Sequence, residues 1–347
     1  MTSSAVDTRR EPVTDPACWT GAEMAARTDW AIDTDATAIA DLETMAQEIR
    51  ARIGDDANGL LHLQPEEFDL GRFAPAIATA KQDLKDGRGF VLLRGLPVDR
   101  WDRLTSAIVY WAIGRHVGRP LSNNPQGDML GHVADLGKDL DHPQHRGYQT
   151  NATMFYHVDQ CDVVGLLCLQ KSKSGGASKI ASSIAVHNEM VRRHPDLADA
   201  LRQPLCWGRM GEIGPGQHAW YESPLFCYPE GRLSVSAGFK HVEKGHALPE
   251  TPDLPDETRR AMLVLNDIAE ELHLAMDFEP GDIQLLNNHV MLHTRTEFED
   301  WLEPERRRHL WRLWLNVPGI RPYSPYYENW RDGIWAPEGA HHITLTA

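Results

Sequence analysis

FYHVDQCDVVGLLCL, Phe155 to Leu169, places a histidine and a carboxylate, His157 and Asp159, at the head of a nearly unbroken apolar run. A short apolar run of this kind, bounded by polar turns, reads as a buried strand. Residues i and i+2 of a strand face the same side. Phe155–Cys161 is therefore read as a strand that leads into a second, Val164–Leu169, with imidazole and carboxylate pointing together into whatever the sheet encloses. A carboxylate on a buried face is costly unless it is paired or holds a metal.

The same His-x-acid pattern occurs at His187-Asn-Glu189 and His241-Val-Glu243. His187 and Glu189 lie in a helical pattern, His187 to Leu201, where i and i+2 diverge, so both are assigned to the surface. KHVEKGH, Lys240 to His246, lacks an apolar continuation and reads as a charged loop. Only His157 and Asp159 sit among core residues. A third ligand is sought in PGDIQLLNNHVMLHTRTEFED, Pro280 to Asp300, which offers His289 and His293. Four apart on a strand, these share a face, and periodicity does not choose between them. Two histidines, one carboxylate and open positions form the facial triad of a non-haem Fe(II) oxygenase. Zinc hydrolases and lyases use related ligands and supply the alternative reading.

RRRHLWRLWLN, Arg306 to Asn316, puts guanidinium groups at the head of a strongly apolar strand. Arg308 and Arg312 share a face with Leu310 between them. With Leu310 in the core, both arginines point inward, and Arg306 and Arg307 remain as a solvated edge. An inward arginine calls for an anion, which a dicarboxylate cosubstrate supplies through a bidentate pair.

The remaining pattern is of strands with a few flanking helices. RGFVLLRGLPV, Arg88 to Val98, is a buried strand stopped by a turn. Thr37–Ile53, the stretch after Asp99 up to Gly118, and Pro255–Leu272 read as helices. Further strands are expected at Ser178–Ile180, Pro224–Tyr228, Arg232–Ser236, Asp282–Asn287 and Val290–Thr294. The fold class is mainly β with flanking helices, built on a jelly-roll core. Residues 121–154, rich in Asn, Gly, Asp and Pro, read as a binding loop that leads to His157. Asn123, Asn124 and Gln126 in it are candidate substrate contacts. Trp207, Trp220, Tyr221 and Phe226 are weighed as a pocket wall against the commoner reading, core packing.

The five motifs FVLLRGLP, HVD, SGGAS, PGDIQLLNNHVMLHTRTEF and RRRHLWRLWL occur in the order found in the taurine dioxygenase/TfdA-like family of Fe(II)/2-oxoglutarate oxygenases. The chain resembles that family over roughly residues 85 to 317. The resemblance implies a double-stranded β-helix and a reaction consuming 2-oxoglutarate and O2, releasing succinate and CO2, and hydroxylating or desaturating a small organic substrate. It implies His157 and Asp159 as the first two Fe(II) ligands. Asn288 falls at the family's position five residues before the distal ligand, which makes that ligand His293 and His289 a neighbour. Arg308 matches the arginine that binds the distal carboxylate of 2-oxoglutarate, with Ser178 of SGGAS as a hydroxyl on the same carboxylate. Arg312 falls where taurine dioxygenase holds its substrate's sulfonate; a structural salt bridge near the pocket is the competing role. Asn288 and Asp282 also have plain structural readings, a turn and a strand start.

Composition bounds the partners. The 347 residues are 41% hydrophobic and carry a net charge of −15 with no basic run, which argues against nucleic acid and anionic membrane. Five cysteines without a C-x-x-C pair are expected to be reduced, and the N-terminus lacks the pattern of a signal peptide, so a cytoplasmic location is expected. Residues 1–25 are expected to be a flexible tail, 26–318 one oxygenase domain, and 319–347 an extension packed on it. Homo-oligomerisation is left open.

Overall fold

The computed structural model describes residues 10–138, 147, 150–329 and 331–347. The long apolar strands come together with three short ones as one seven-stranded sheet. Its spatial order is Ala31–Asp33, Phe90–Arg94, Ile283–Asn287, Val163–Gln170, His309–Asn316 and Arg119–Leu121, with Gly131–Val133 also paired to His309–Asn316. A three-stranded sheet, Leu274–Met276, Ser178–Ser182 and Met291–Arg295, forms the second layer. The jelly-roll core expected from the sequence is thus present as a large and a small sheet with a cavity lined from both.

Strand alternation decides which residues face that cavity. Along His309–Asn316, Trp311, Leu313 and Leu315 belong to the same core as Ile108 and Tyr110 of the helix Arg103–Val117, with Leu42 and Ile49 of the helix Ala36–Ile53 in that core as well. Leu310 and Trp314 belong to the core on the other side, and Leu310 lines the cavity together with Arg308 and Arg312. The inward direction of both arginines therefore follows from the period of two, as the sequence implied. Behind the small sheet pack the helices Ser183–Arg193 and Asp256–Leu272, through Ile184, Met190, Leu265 and Ile268.

Several elements differ from expectation. Phe155–Cys161 is not a continuous strand: only His157 pairs, forming a single bridge with His293. The chain then leaves the ladder, with Val158 N–H donating to the Ala237 carbonyl at 2.9 Å. KHVEKGH is not a loop but most of a helix, Phe239–His246, whose Phe239, Val242 and His246 face the core. His187 is not on the surface. It lies on the apolar side of Ser183–Arg193, fully buried, 2.6 Å from the Tyr228 hydroxyl, and burial lowers its pKa to about 4. Glu189, by contrast, pairs with Arg192 and Arg193 at the surface. The segment expected as a loose tail is docked over part of its length, since Ala17, Trp19 and Met24 are buried and the Trp19 indole donates to the Arg88 carbonyl.

Part of the 121–154 loop, residues 139–146 and 148–149, lies outside the described residues. Cys161, Cys168, Cys206 and Cys227 are buried free thiols and Cys18 is exposed. Ile320, Tyr327, Ile334 and Ile343 of the C-terminal segment are buried against the rest of the chain. Among the described residues no helix is long and apolar enough to cross a membrane.

Candidate metal centre and cosubstrate pocket

Two chain segments build the metal group. The bridge between His157 and His293 is made by reciprocal backbone hydrogen bonds of 3.0 and 2.9 Å, which set the two imidazoles beside each other with centroids 4.4 Å apart. Asp159 reaches the same place although the strand has ended. Asn288 turns the chain: its Oδ1 accepts the Asp159 N–H at 3.2 Å, and its Nδ2 donates to the Cys161 carbonyl at 3.0 Å. Ligand atoms of His157, Asp159 and His293 then all lie within 4.8 Å of one another. His289 points elsewhere, to Asp162 and Ser234 at 2.9 Å each, and takes no part in the group.

Asn288→Ala is expected to leave the buried Asp159 N–H and Cys161 carbonyl without their partner. At about 1–3 kcal/mol for each of the two unsatisfied groups, the variant should lose roughly 2–6 kcal/mol of stability, measured by urea unfolding. It should also bind Fe(II) more weakly, because Asp159 is no longer held.

The electrostatics suit a cation. Burial lowers the pKa of His157, and burial followed by the neighbouring His157 pushes His293 down to about 3. Both imidazoles are therefore neutral at neutral pH, with lone pairs available to a metal. The Nδ1 of His157 donates to the Phe155 carbonyl at 2.9 Å, which leaves Nε2 for the ion. His293 faces Asp159 through Nε2, and its buried Nδ1 has no partner among the described residues. Burial alone would raise the Asp159 carboxyl. The charged surroundings, the Arg312 guanidinium foremost, outweigh it and hold Asp159 at about 2, so it is ionised.

Arg312 donates through Nη1 to Asp159 at 3.3 Å and through Nε to Asn123 Oδ1 at 3.0 Å, and lies over the Trp314 ring. Its salt bridge to the metal carboxylate is the structural role weighed against substrate binding. Asn123, Asn124 and Gln126 do not line the cavity, contrary to expectation. Asn123 is buried on Arg312, Asn124 ties its own loop through Asp128 at 2.6 Å, and Gln126 is exposed. The turn that carries these three residues closes on Asp128 and Arg312, whereas Val133, Gly147 and Met154 of the same loop line the cavity. Of the four aromatics, Trp207, Tyr221 and Phe226 are core residues. Trp207 and Tyr221 also border a side cavity of about 20 Å³ next to Asp159.

The main cavity, about 140 Å³, is lined by His157, Asp159, His293, Ser178, Arg308 and Arg312 among others. Arg308 is the decisive side chain. It is 7% exposed, its guanidinium lies 5.1 Å from the Phe298 ring centroid, and its Nη1 is buried with no partner among the described residues. Burial lowers its pKa to about 10, still well above neutrality. A buried charge with an open donor costs free energy, which a bound anion would offset. Ser178 lines the same cavity and its Oγ accepts from Gln284 of the large sheet at 3.3 Å.

The SGGAS motif explains how the chain passes this site. Gly175 and Gly176 both have φ of +71°. A Cβ at Gly175 would stand 2.2 Å from the Glu297 carbonyl oxygen, and one at Gly176 would stand 3.3 Å from Arg308 Nε.

Sequence reading missed Arg295 and the helix Phe239–His246. Arg295 lines the cavity and donates to the carbonyls of Ala152 at 2.8 Å, Gly147 at 3.1 Å and Thr150, so it ties the preceding loop to the small sheet. Lys240, His241 and Lys244 of the helix line the cavity as well.

A jelly roll enclosing a His-Asp-His group beside an open-ended buried arginine defines a non-haem iron oxygenase. The chain belongs to the family described as taurine catabolism dioxygenase TauD, TfdA family, whose model matches residues 55–314. Its members are 2-oxoglutarate-dependent enzymes, and the donor set and the open Arg308 fit iron and that cosubstrate. The chain is 28% identical to FR-33289 synthase of Streptomyces rubellomurinus, over 97% of this chain and 100% of that one. It is also 28% identical to a taurine hydroxylase-like protein of Stachybotrys chartarum, over 81% of this chain and 78% of the other. Among solved structures, asparagine oxygenase with Fe(II), 3-hydroxyasparagine and succinate superposes with a TM-score of 0.62 at 16% identity, covering 82% and 93% of the two chains.

Proposed function

We propose that the protein hydroxylates an unactivated C–H bond of a small organic substrate, with 2-oxoglutarate and O2 as cosubstrates. His157, Asp159 and His293 hold Fe(II), and Arg308 with Ser178 holds the distal carboxylate of 2-oxoglutarate. The observation that carries this reading is the buried Arg308 Nη1 without a partner among the described residues, in the same cavity as the ligand group. A zinc hydrolase or lyase would have no dicarboxylate to place there. When bound, the iron and the keto acid supply O2 activation, coupled to release of succinate and CO2, that delivers oxygen to a C–H bond.

The chain's own residues orient and insulate. Phe155 fixes the His157 ring through its carbonyl, and Asn288 fixes the backbone of Asp159. Arg312 keeps Asp159 ionised and oriented, and Asn123 keeps Arg312 in place. Phe155, Met154, Val158, Leu166, Phe239 and Leu310 give the cavity apolar walls that limit water near the reacting centre. Support for hydroxylation as the outcome comes from the taurine hydroxylase-like relative and from the hydroxyasparagine held by asparagine oxygenase.

The test is succinate formation from 2-oxoglutarate across a panel of small organic acids, amines and esters. Turnover that requires Fe(II) and O2 and rises with one class of compound is expected. Zinc-supported hydrolysis with no 2-oxoglutarate consumption would replace this reading with the hydrolase.

A further inference from the structure

The cavity carries a charge balance opposite to that of the chain. The protein has a net charge of −15, yet the described residues lining the cavity include Lys240, Lys244, Arg295, Arg308 and Arg312, and Asp159 is the single carboxylate among them. Arg312 is on Asp159, Arg295 holds main-chain carbonyls, and Arg308 takes the cosubstrate in the function proposed above.

Lys240 and Lys244 are four apart on the helix Phe239–His246, and His241 is three before Lys244, so the three side chains share one helical face. All three line the cavity. Lys240 also pairs with Glu243 at 3.3 Å, a carboxylate that Arg259 shares. The site is therefore basic on the side that this helix supplies, beyond what the cosubstrate accounts for.

The kind of cation indicates the kind of anion. A guanidinium is a planar fork that matches a carboxylate through two parallel hydrogen bonds, which suits Arg308 to 2-oxoglutarate. An ammonium is a point charge with three rotatable donors and no preferred plane. Two ammonium groups and an imidazole on one face suit an anion whose oxygens point in three directions and which carries close to two charges. Such a group is a phosphate or phosphonate.

We propose that Lys240, His241 and Lys244 form a subsite for a phosphate or phosphonate group of the substrate, and so restrict the enzyme to small molecules that carry one. The inference rests on the oxygenase reading, because it takes Arg308 to be occupied by 2-oxoglutarate. It also concerns residues that the metal centre does not use.

The test is a phosphorus NMR titration of methylphosphonate into the full chain, loaded anaerobically with Fe(II) and 2-oxoglutarate. Acetate and methanesulfonate serve as competitors. 2-Oxoglutarate affinity is measured separately by calorimetry. The unsubstituted protein should bind methylphosphonate more tightly than either competitor, with an affinity that falls as salt rises. Lys240→Gln and Lys244→Gln should each weaken binding by about tenfold and the double variant by more, with partial recovery in Lys244→Arg. Retained 2-oxoglutarate affinity in these variants shows that the cavity is intact.

Unchanged methylphosphonate affinity in the double variant would overturn the subsite. So would acetate binding as tightly as methylphosphonate, or no methylphosphonate binding at all. Absence of 2-oxoglutarate binding in the unsubstituted protein would count against the role of Arg308, and is read independently of the phosphonate result.

Discussion

Arg308→Met is expected to abolish productive 2-oxoglutarate binding while leaving the apoprotein as stable as before, or more stable. The two effects have opposite signs because one side chain causes both. In the unliganded protein the guanidinium is buried with Nη1 unpartnered among the described residues, and an uncompensated buried charge costs free energy. An unbranched apolar side chain of similar length removes that cost and can keep its packing over Phe298. With the keto acid bound, the same guanidinium completes a charge-assisted pair. Losing one partner of such a pair costs about 2–5 kcal/mol, or roughly 30- to 5,000-fold in affinity. Arg308→Lys should recover part of this, since it restores the charge but not the fork. Calorimetric titration with 2-oxoglutarate, beside thermal unfolding of the apoprotein, measures both. Unchanged 2-oxoglutarate affinity in Arg308→Met would remove Arg308 from the cosubstrate site.

His157→Ala should lose stoichiometric Fe(II) binding and, with it, 2-oxoglutarate turnover. Replacing a residue that merely supports a metal ligand already costs about 10–100-fold in affinity or activity, so loss of a ligand should exceed ~100-fold. Folding should survive. The bridge between His157 and His293 runs through backbone groups that alanine keeps, and the imidazole is neutral, so no charge is stranded. Iron content after anaerobic loading and desalting is the measurement. Retained iron in a folded variant would place the metal elsewhere. Asp159→Asn is the companion case: it keeps the shape but removes the charge that Arg312 and the ion share.

Phe90–Arg94, Val163–Gln170, Ile283–Asn287 and His309–Asn316 of the large sheet were legible because they are apolar runs of five to eight residues, whereas Ala31–Asp33, Arg119–Leu121 and Gly131–Val133, three residues each, carry too short a pattern to read. Leu310 between Arg308 and Arg312 was enough to turn both arginines inward, and the structure places all three on the cavity. The gathering of His157, Asp159 and His293 into one group was legible too, but by a route that differs from the structure's. His157 and Asp159 were placed on one strand face. Only His157 is paired, and Asp159 arrives through a turn held by a side chain 129 residues away in sequence. No local period encodes that contact.

Two misreadings had visible signals. His187 follows Ile184 and precedes Met190 and Val191 at helical spacing, so its place is on the buried stripe of Ser183–Arg193, with Tyr228 as its partner. In the helix Phe239–His246, Phe239, Val242 and His246 recur at three and four residues, a pattern obscured by the lysines and by Gly245. Because that helix was taken for a loop, the cations it brings to the cavity were not anticipated. Asn123, Asn124 and Gln126 had no such signal. Their partners, Arg312 and Asp128, are chosen by the closure of an irregular loop, which composition does not describe.

The central claim is that one cavity holds a ferrous ion on three side chains and a keto-diacid on one arginine. A crystal structure of the protein soaked anaerobically with Fe(II) and 2-oxoglutarate tests it directly. The account predicts iron bonded to His157, Asp159 and His293, with the distal carboxylate of the keto acid paired with Arg308 and near Ser178. Metal bound at other residues, or a carboxylate seated away from Arg308, would contradict it.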